Sequence, residues 1–347
     1  VQLVKNYIDI KTLDKARLTS LVKKFSEAKI LVVGDLILDE YLYGYPDRVS
    51  REAPVIILKY LKSKFVLGGS SNAANNAAAL GAKVKLIGVL GDDTAAKTFA
   101  DLCSSAGIEL DAELDKTRVT TSKTRIISSS SKDPENGTVL QQQVLRVDKE
   151  ESSDCDASIV KSLSFKFDNA IADCDLALIS DYSNGVFSDS FVGNISKKSI
   201  ALSKKYIVDS NGDLSRFKGA YSLTPNEPDL EAYTKKTLKD EDELLASGRE
   251  LRTALASDQL LITRGAKGMA LLSQESCDFI PALNLSEVFD VSGAGDTVSA
   301  AYSLALAVGA TGLEAALLGN LAASLVVKKY GTATINQEEL LGLIDSL

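Results

Sequence analysis

The chain has no histidine and no tryptophan among its 347 residues, and a single methionine. Without histidine, every Ser-His-Asp, Cys-His or histidine-base mechanism is excluded, and so is a Cys/His zinc site. General base chemistry must fall to a carboxylate, a lysine, a tyrosine or a metal-bound water. Cysteine is scarce: Cys103, Cys155, Cys174 and Cys277 are too scattered for a close-spaced metal motif and read as small buried hydrophobes in a reducing compartment. No continuous apolar run reaches the roughly 18 residues of a membrane span. The opening Val1-Gln-Leu-Val-Lys5 carries no apolar stretch with a cleavage signal, so a cytoplasmic location is expected. Positive charge is in deficit too, with 39 lysines and arginines against 47 aspartates and glutamates and a net charge of -8. That balance disfavours nucleic acid or an anionic membrane as a partner. An anionic small ligand, which needs only a few donors in one cleft, remains possible.

What is present reads as a folded globule, 45% apolar and 25% charged. The length fits one large domain with an inserted piece, or two of ordinary size. Leu13, Leu18, Leu21, Val22 and Phe25 recur at helical spacing, so residues 1–27 are expected to form an N-terminal helical extension. The apolar run Lys29-Ile-Leu-Val-Val-Gly-Asp35 reads as a strand buried on both faces. A helix over 70–80, a strand over 83–90 and a helix over 94–106 follow. The alternation resumes with strands at 175–180, 206–209, 221–224 and 260–263, helices near 188–204 and 240–256, and a hairpin strand at 269–272. Helices at about 294–309, 312–328 and 336–345 close the chain. Short buried strands separated by helices imply an α/β fold, a doubly wound, mostly parallel sheet with helices on both faces over residues 28–345. Ligands of such a sheet gather at the carboxyl ends of its strands.

Two stretches break the rhythm. Residues 40–67 hold the strand-like pieces 54–58 and 63–67. Residues 118–149 hold Thr120–Ile127 and Gln141–Asp148, joined by the turn-rich Lys132-Asp-Pro-Glu-Asn-Gly137. Together they predict a small β-sheet lid inserted at the edge of the main sheet.

The sharpest local signal is Asp290-Val-Ser-Gly-Ala-Gly-Asp-Thr297, which runs into the small-residue helix carrying Ala300, Ala301, Ala305 and Ala307. A glycine-rich loop entering a helix points free amides at an anion, so Gly293, Ala294 and Gly295 can cradle a phosphate without a positive side chain. Asp296 at that end serves either as a helix cap or as the base that takes a proton from an attacking hydroxyl. The lysine and hydroxyl of a Walker A loop are missing, and Gly34 has no companions of a Rossmann fingerprint.

The loop resembles the C-terminal signature of the ribokinase-like, PfkB-type carbohydrate kinases. Gly68-Gly-Ser-Ser-Asn-Ala-Ala-Asn-Asn-Ala-Ala-Ala-Leu-Gly81, followed by Val84-Lys-Leu-Ile-Gly-Val-Leu-Gly-Asp-Asp93, is similar to the N-terminal one, and the likeness runs from about residue 28 to 345. Gly34-Asp-Leu-Ile-Leu-Asp-Glu-Tyr-Leu-Tyr-Gly44, Arg48-Val-Ser-Arg-Glu-Ala-Pro-Val55 and Ser180-Asp-Tyr-Ser-Asn-Gly185 narrow it to the branch that phosphorylates C1 of D-glycero-D-manno-heptose 7-phosphate. The resemblance implies an ATP- and Mg²⁺-dependent sugar kinase with Asp296 as catalytic base. By the same resemblance Asp39 holds the sugar with Gly68, Gly69 and Asn72. Asp181 either lies near the transferring group or fixes the turn after its strand. Lys123, Arg125, Arg146 and Arg48 fall on lid strands, where guanidinium groups suit a sugar phosphate. Thr263, Gly265, Gly268, Gly293, Gly295 and Asn320 match the nucleotide site, and Asn226 and Asp229 the magnesium motif. A homodimer through the lid strands is implied as well. Two departures stand out: Asp209-Ser-Asn-Gly212 lacks the branch's lysine, and Asp229 stands where relatives carry glutamate. Another sugar or nucleoside kinase of this fold, or a sugar-binding protein that has lost catalysis, are the alternatives. The nucleotidyltransferase step that accompanies this branch in bifunctional enzymes is expected outside this chain.

Overall fold

The computed structural model describes residues 4–132, 140–283, 288 and 290–347. Ten strands form one sheet, in the order Val4–Tyr7, Ser276–Ile280, Met269–Leu272, Gln259–Thr263, Ser222–Leu223, Lys205–Ser210, Leu176–Asp181, Lys29–Gly34, Lys83–Ile87 and Glu109–Leu110. All neighbours run parallel except Met269–Leu272, which is antiparallel to both of its partners. The central strands are apolar without alternation because helices cover both of their faces: every residue of Leu176–Asp181 is buried. Each such leucine or isoleucine contributes about 2 kcal/mol by leaving water. One core cluster packs Leu18, Ala73, Phe99, Tyr302 and Leu318 against the sheet, and a second packs Phe167, Phe191, Leu230 and Leu251 on the other side. This is the doubly wound α/β architecture expected from the strand and helix rhythm.

Several elements differ from expectation. The N-terminal segment has its helix, Lys15–Lys23, but Val4–Tyr7 before it is an edge strand paired with Ser276–Ile280, with the Tyr7 ring stacked 5.2 Å from that of Phe279. All four of its residues are exposed, so no buried face marked it in the sequence. The strand foreseen at 83–90 breaks at Gly88, where a Cβ would run into the Gly34 carbonyl oxygen. Beyond the break, Val89–Gly91 pairs with Glu113–Asp115 in a separate two-stranded sheet. The helices Ala157–Ala170 and Glu227–Thr234 and the strand Ser276–Ile280 were not foreseen.

The lid is a four-stranded sheet in the order Gln141–Lys149, Ser122–Ser129, Leu36–Val49, Ile56–Gly69. The pieces at 54–58 and 63–67 are one continuous strand, and its partner Leu36–Val49 runs unbroken out of the loop that follows Gly34. The turn expected at 132–137 lies outside the described residues beyond Lys132. Pairing of Asp39 with Lys123, Tyr41 with Arg125 and Tyr43 with Ile127 puts these six side chains on one face of the lid. The Tyr41 hydroxyl accepts the Thr332 N–H at 3.1 Å, so this face is turned toward the main domain. Phe65, Leu145 and Val147 are exposed by 38%, 56% and 43%, and by the same registers they lie on the opposite face. Among the described residues no helix is long and apolar enough to cross a membrane.

Candidate active site

Strand ends of the main sheet bring aspartates together. Asp35 follows Lys29–Gly34, Asp181 ends Leu176–Asp181, and Asp209 lies next to the end of Lys205–Ser210. Facing them is the first turn of Ala294–Ala307, entered through Gly293 at φ 75, a left-handed backbone that glycine adopts without strain. A Cβ on Gly293 would also lie 2.5 Å from the Asn72 side-chain nitrogen, so glycine is required here twice over. Ala294 N–H donates to the Val291 carbonyl at 3.2 Å, whereas those of Gly293, Gly295 and Asp296 have no acceptor among the described residues. Of the loop amides expected to be free, Ala294 alone is engaged.

Asp296 does not cap its helix. Its Oδ2 accepts from Asn72 Nδ2 and its Oδ1 from the Tyr182 hydroxyl, both at 2.7 Å. Burial, then the charge of Asp209, push its carboxyl up to about 7, against the pull of these two donors. Asp35 is likewise pushed up to about 7 by burial and by Asp181, and Asp209 up to about 6 by burial, opposed by a 2.6 Å hydrogen bond from Ser299.

The expected site residues are partly brought together. Asp39 is buried, with Arg125 Nη1 2.8 Å from its Oδ1 in an ion pair. Burial raises the Asp39 carboxyl despite that partner. The Arg125 guanidinium lies 5.3 Å from the Tyr41 ring centroid, and a Cβ on Gly68 would sit 2.8 Å from the Asp39 carboxylate. Gly69, at φ 54, turns the chain into Ser70–Ala79. Lys123 and Arg146 are the strand neighbours of Asp39 and Arg125, although Arg146 is paired with Asp148 at 2.9 Å. Arg48 is not part of this group. It is exposed seven residues beyond Tyr41 on the same strand, roughly 20 Å away along an extended chain.

Other assignments change in kind. The Asn72 amide, expected against the sugar, is engaged at both ends, donating to Asp296 and accepting from Asn76 at 3.2 Å. Asp181 fixes its turn, accepting from Ser183 N–H at 2.8 Å and from the Ser210 hydroxyl at 2.9 Å. Asn226 and Asp229 form a reciprocal capping box on Glu227–Thr234, with bonds of 2.7 and 2.9 Å. Asp229 serves that box with Oδ2 alone.

A cavity of about 320 Å³ adjoins the glycine loop, lined by Thr263, Gly268, Ala294, Gly295, Val298 and Asn320 among others. Gly268 is at φ 87 with the Ile280 carbonyl packed where a side chain would stand. Asn320 Nδ2 donates to the Pro281 carbonyl at 2.9 Å, pinning the far wall. Gly265 also lines this cavity, so Thr263, Gly265, Gly268, Gly295 and Asn320 of the residues expected around the nucleotide share one apolar chamber next to Asp296, whereas Gly293 and Asn226 do not line it.

The profile described as pfkB family carbohydrate kinase matches residues 27–339. The chain belongs to that family. Members are ATP-dependent kinases, which agrees with an apolar chamber opening beside a helix end with free amides. The bifunctional protein HldE of Desulfatibacillum aliphaticivorans is 39% identical over 92% of the chain, and that of Caulobacter sp. (strain K31) is 40% identical over 94%. The chain spans 63% and 64% of the length of these relatives. Among solved structures, Arabidopsis thaliana ribokinase complexed with ribose and ATP superposes with a TM-score of 0.69 at 19% identity, covering 91% of this chain and 98% of that one. Escherichia coli phosphofructokinase-2 in complex with substrates and products gives 0.74 at 19% identity, covering 92% and 99%. These two show that the pfkB-family chain has the ribokinase-like fold.

Sequence reasoning missed Tyr182, Asp35 and Asp209 as members of the site. Each lies at or just past the carboxyl end of a buried strand, and that position was the available signal.

Proposed function

We propose that this kinase transfers the γ-phosphoryl group of ATP to the anomeric hydroxyl of D-glycero-D-manno-heptose 7-phosphate, giving the 1,7-bisphosphate, in the cytoplasm. The observation that carries the reading is the Asp296 carboxylate, held between Asn72 and Tyr182 beside helix amides that have no acceptor among the described residues. A carboxyl pushed up to about 7 is near-matched to accept a hydroxyl proton at neutral pH. Asp39 receives the sugar hydroxyls, and the amides of Gly293, Gly295 and Asp296 stabilise charge on the moving phosphoryl group. Lys123, Arg125 and Arg146 on the inner lid face suit the substrate's own phosphate. The motifs of the heptose-phosphate branch and the 39–40% identity to the HldE proteins support this sugar.

The nucleotide fits the apolar chamber bounded by Thr263, Gly268 and Asn320. Among the described residues no three His, Cys, Asp or Glu side chains gather as a metal cage. Asn226 and Asp229, whose Oδ1 the capping box does not use, would hold Mg²⁺ through its waters, since that ion keeps most of them. When bound, the ion neutralises charge on the ATP phosphates. The exposed Phe65, Leu145 and Val147 of the outer lid face support pairing with a second copy of the chain. Sedimentation should then find dimers that Val147→Asp converts to monomers.

The deciding assay follows ADP release and the new anomeric phosphate by phosphorus NMR across a sugar panel. The heptose 7-phosphate is expected to give the highest kcat/KM. A preference for unphosphorylated ribose or fructose would remove the heptose reading, and sugar binding without ATP consumption would remove catalysis altogether.

A further inference from the structure

Tyr182 comes from a turn remote in sequence from the glycine loop, yet its hydroxyl reaches the base. The turn is fixed on several sides. The Tyr182 N–H donates to Asp35 Oδ2 at 2.6 Å, and the Asn184 N–H reaches the same oxygen at 3.4 Å. Ser183 sits at φ 61, in left-handed backbone that a serine rarely adopts, and its N–H is held by Asp181 Oδ1 at 2.8 Å. Gly185 at φ 81 is packed so closely on the Ser153 carbonyl that a Cβ has no room, so the turn cannot slide. What this framework delivers is one phenolic hydrogen, directed at Asp296 Oδ1 from 2.7 Å.

We propose that Tyr182 is a positioning residue of the phosphoryl-transfer site, orienting the Asp296 carboxylate and favouring its ionised form by donating to Oδ1. The inference rests on the reading of Asp296 as the base. The titratable groups facing or adjoining the pair are all acidic at first rank: Asp209 from Lys205–Ser210, Asp39 from the lid, and Asp35 and Asp181 at neighbouring strand ends. Arg125 stands behind Asp39, 2.8 Å from that carboxylate. Crowded by like charges, the Asp296 anion depends on the neutral donors Tyr182 and Asn72. Burial, followed by the nearby Asp296 and Asp209 charges, holds the phenol well above its ordinary range, so it remains a donor throughout the working pH and does not shuttle protons. A phenylalanine fills the same space and removes only the hydroxyl, which isolates the bond in question.

The test is the pH profile of kcat at saturating substrates for the natural enzyme and Tyr182→Phe. The ascending limb is expected to move up by about one pH unit, the size of a lost hydrogen bond to a charged group, with about a tenfold deficit near pH 6.5 that largely recovers by about pH 9. A loss by the same factor at every pH, or an unmoved limb, overturns the proposal. Site-specific 3-fluorotyrosine at position 182 keeps the shape and strengthens the donor, and should move the limb the other way; no movement overturns it even if the phenylalanine variant folds poorly. The two levels separate cleanly. Full activity of Asp296→Asn sinks the base reading itself, whereas an inactive Asp296→Asn with an unshifted Tyr182→Phe limb sinks only the role of Tyr182.

Discussion

The two halves of the site are built on opposite principles. The proposed nucleotide side is an apolar chamber around Val298, Ala323 and Val327 whose polar side chains are few, Thr263, Asn320 and Ser324. The proposed sugar side is a crowd of buried or half-buried aspartates, Asp35, Asp39, Asp181, Asp209 and Asp296, each held by partners from other elements. An apolar chamber asks only for shape and tolerates conservative change. A set of buried carboxylates stores electrostatic free energy and responds sharply to the loss of any partner.

Substitutions on each side should break that contrast or sharpen it. The largest effect is expected from Asp296→Asn, which removes the proposed base while leaving the chamber intact: kcat should fall by about a hundredfold to ten-thousandfold. ATP affinity, measured by calorimetry, should stay within about twofold; a parallel loss of ATP binding would mean that the two sides are one unit. Next is Arg125→Ala, which leaves the buried Asp39 carboxylate without its ion-pair partner. About 3 kcal/mol of stability should be lost in urea unfolding at neutral pH, with a raised KM for the sugar and an unchanged KM for ATP. Ala323→Leu is the mirror experiment, because it narrows the chamber without touching a charge. The KM for ATP should rise about tenfold and that for the sugar should hold.

The smallest effect is on pH and is read by thermal melting. Asp35, Asp209 and Asp296, pushed up to about 7, 6 and 7 chiefly by burial, keep protons that the unfolded chain releases above about pH 4. The folded state binds more protons over that window, so stability should fall as pH rises from about 4 to about 7 and level off above it. Asp296→Asn removes one of these three carboxyls and should melt a few degrees above the natural chain at pH 8. An identical pH slope in the variant would mean that Asp296 carries no burial strain.

Much of the scaffold was legible in the sequence because its signals are local. Continuous apolar runs such as Ile30–Val33 and Leu176–Ile179 announce strands covered on both sides. Helical spacing marked Lys15–Lys23, and the glycines before Asp296 marked a helix entrance that no other sequence feature explains. The edge strand Val4–Tyr7 was silent because exposed residues leave no pattern, and the break at Gly88 was silent because its cause is the backbone of a different strand. The cluster expected of Arg48 with Arg125 failed for a similar reason. Both sit on lid strands, but register, which sequence does not state, sets them far apart.

The sequence by itself determined the chemistry available, with carboxylates and no histidine to share acid–base work, together with the fold class and the glycine-rich helix end where that work is proposed. Only the tertiary structure decided which groups govern Asp296. Asn72 and Tyr182 lie 224 and 114 positions away along the chain. A hydrogen bond between residues so distant leaves no periodic trace, and its existence depends on how the sheet stacks its strand ends.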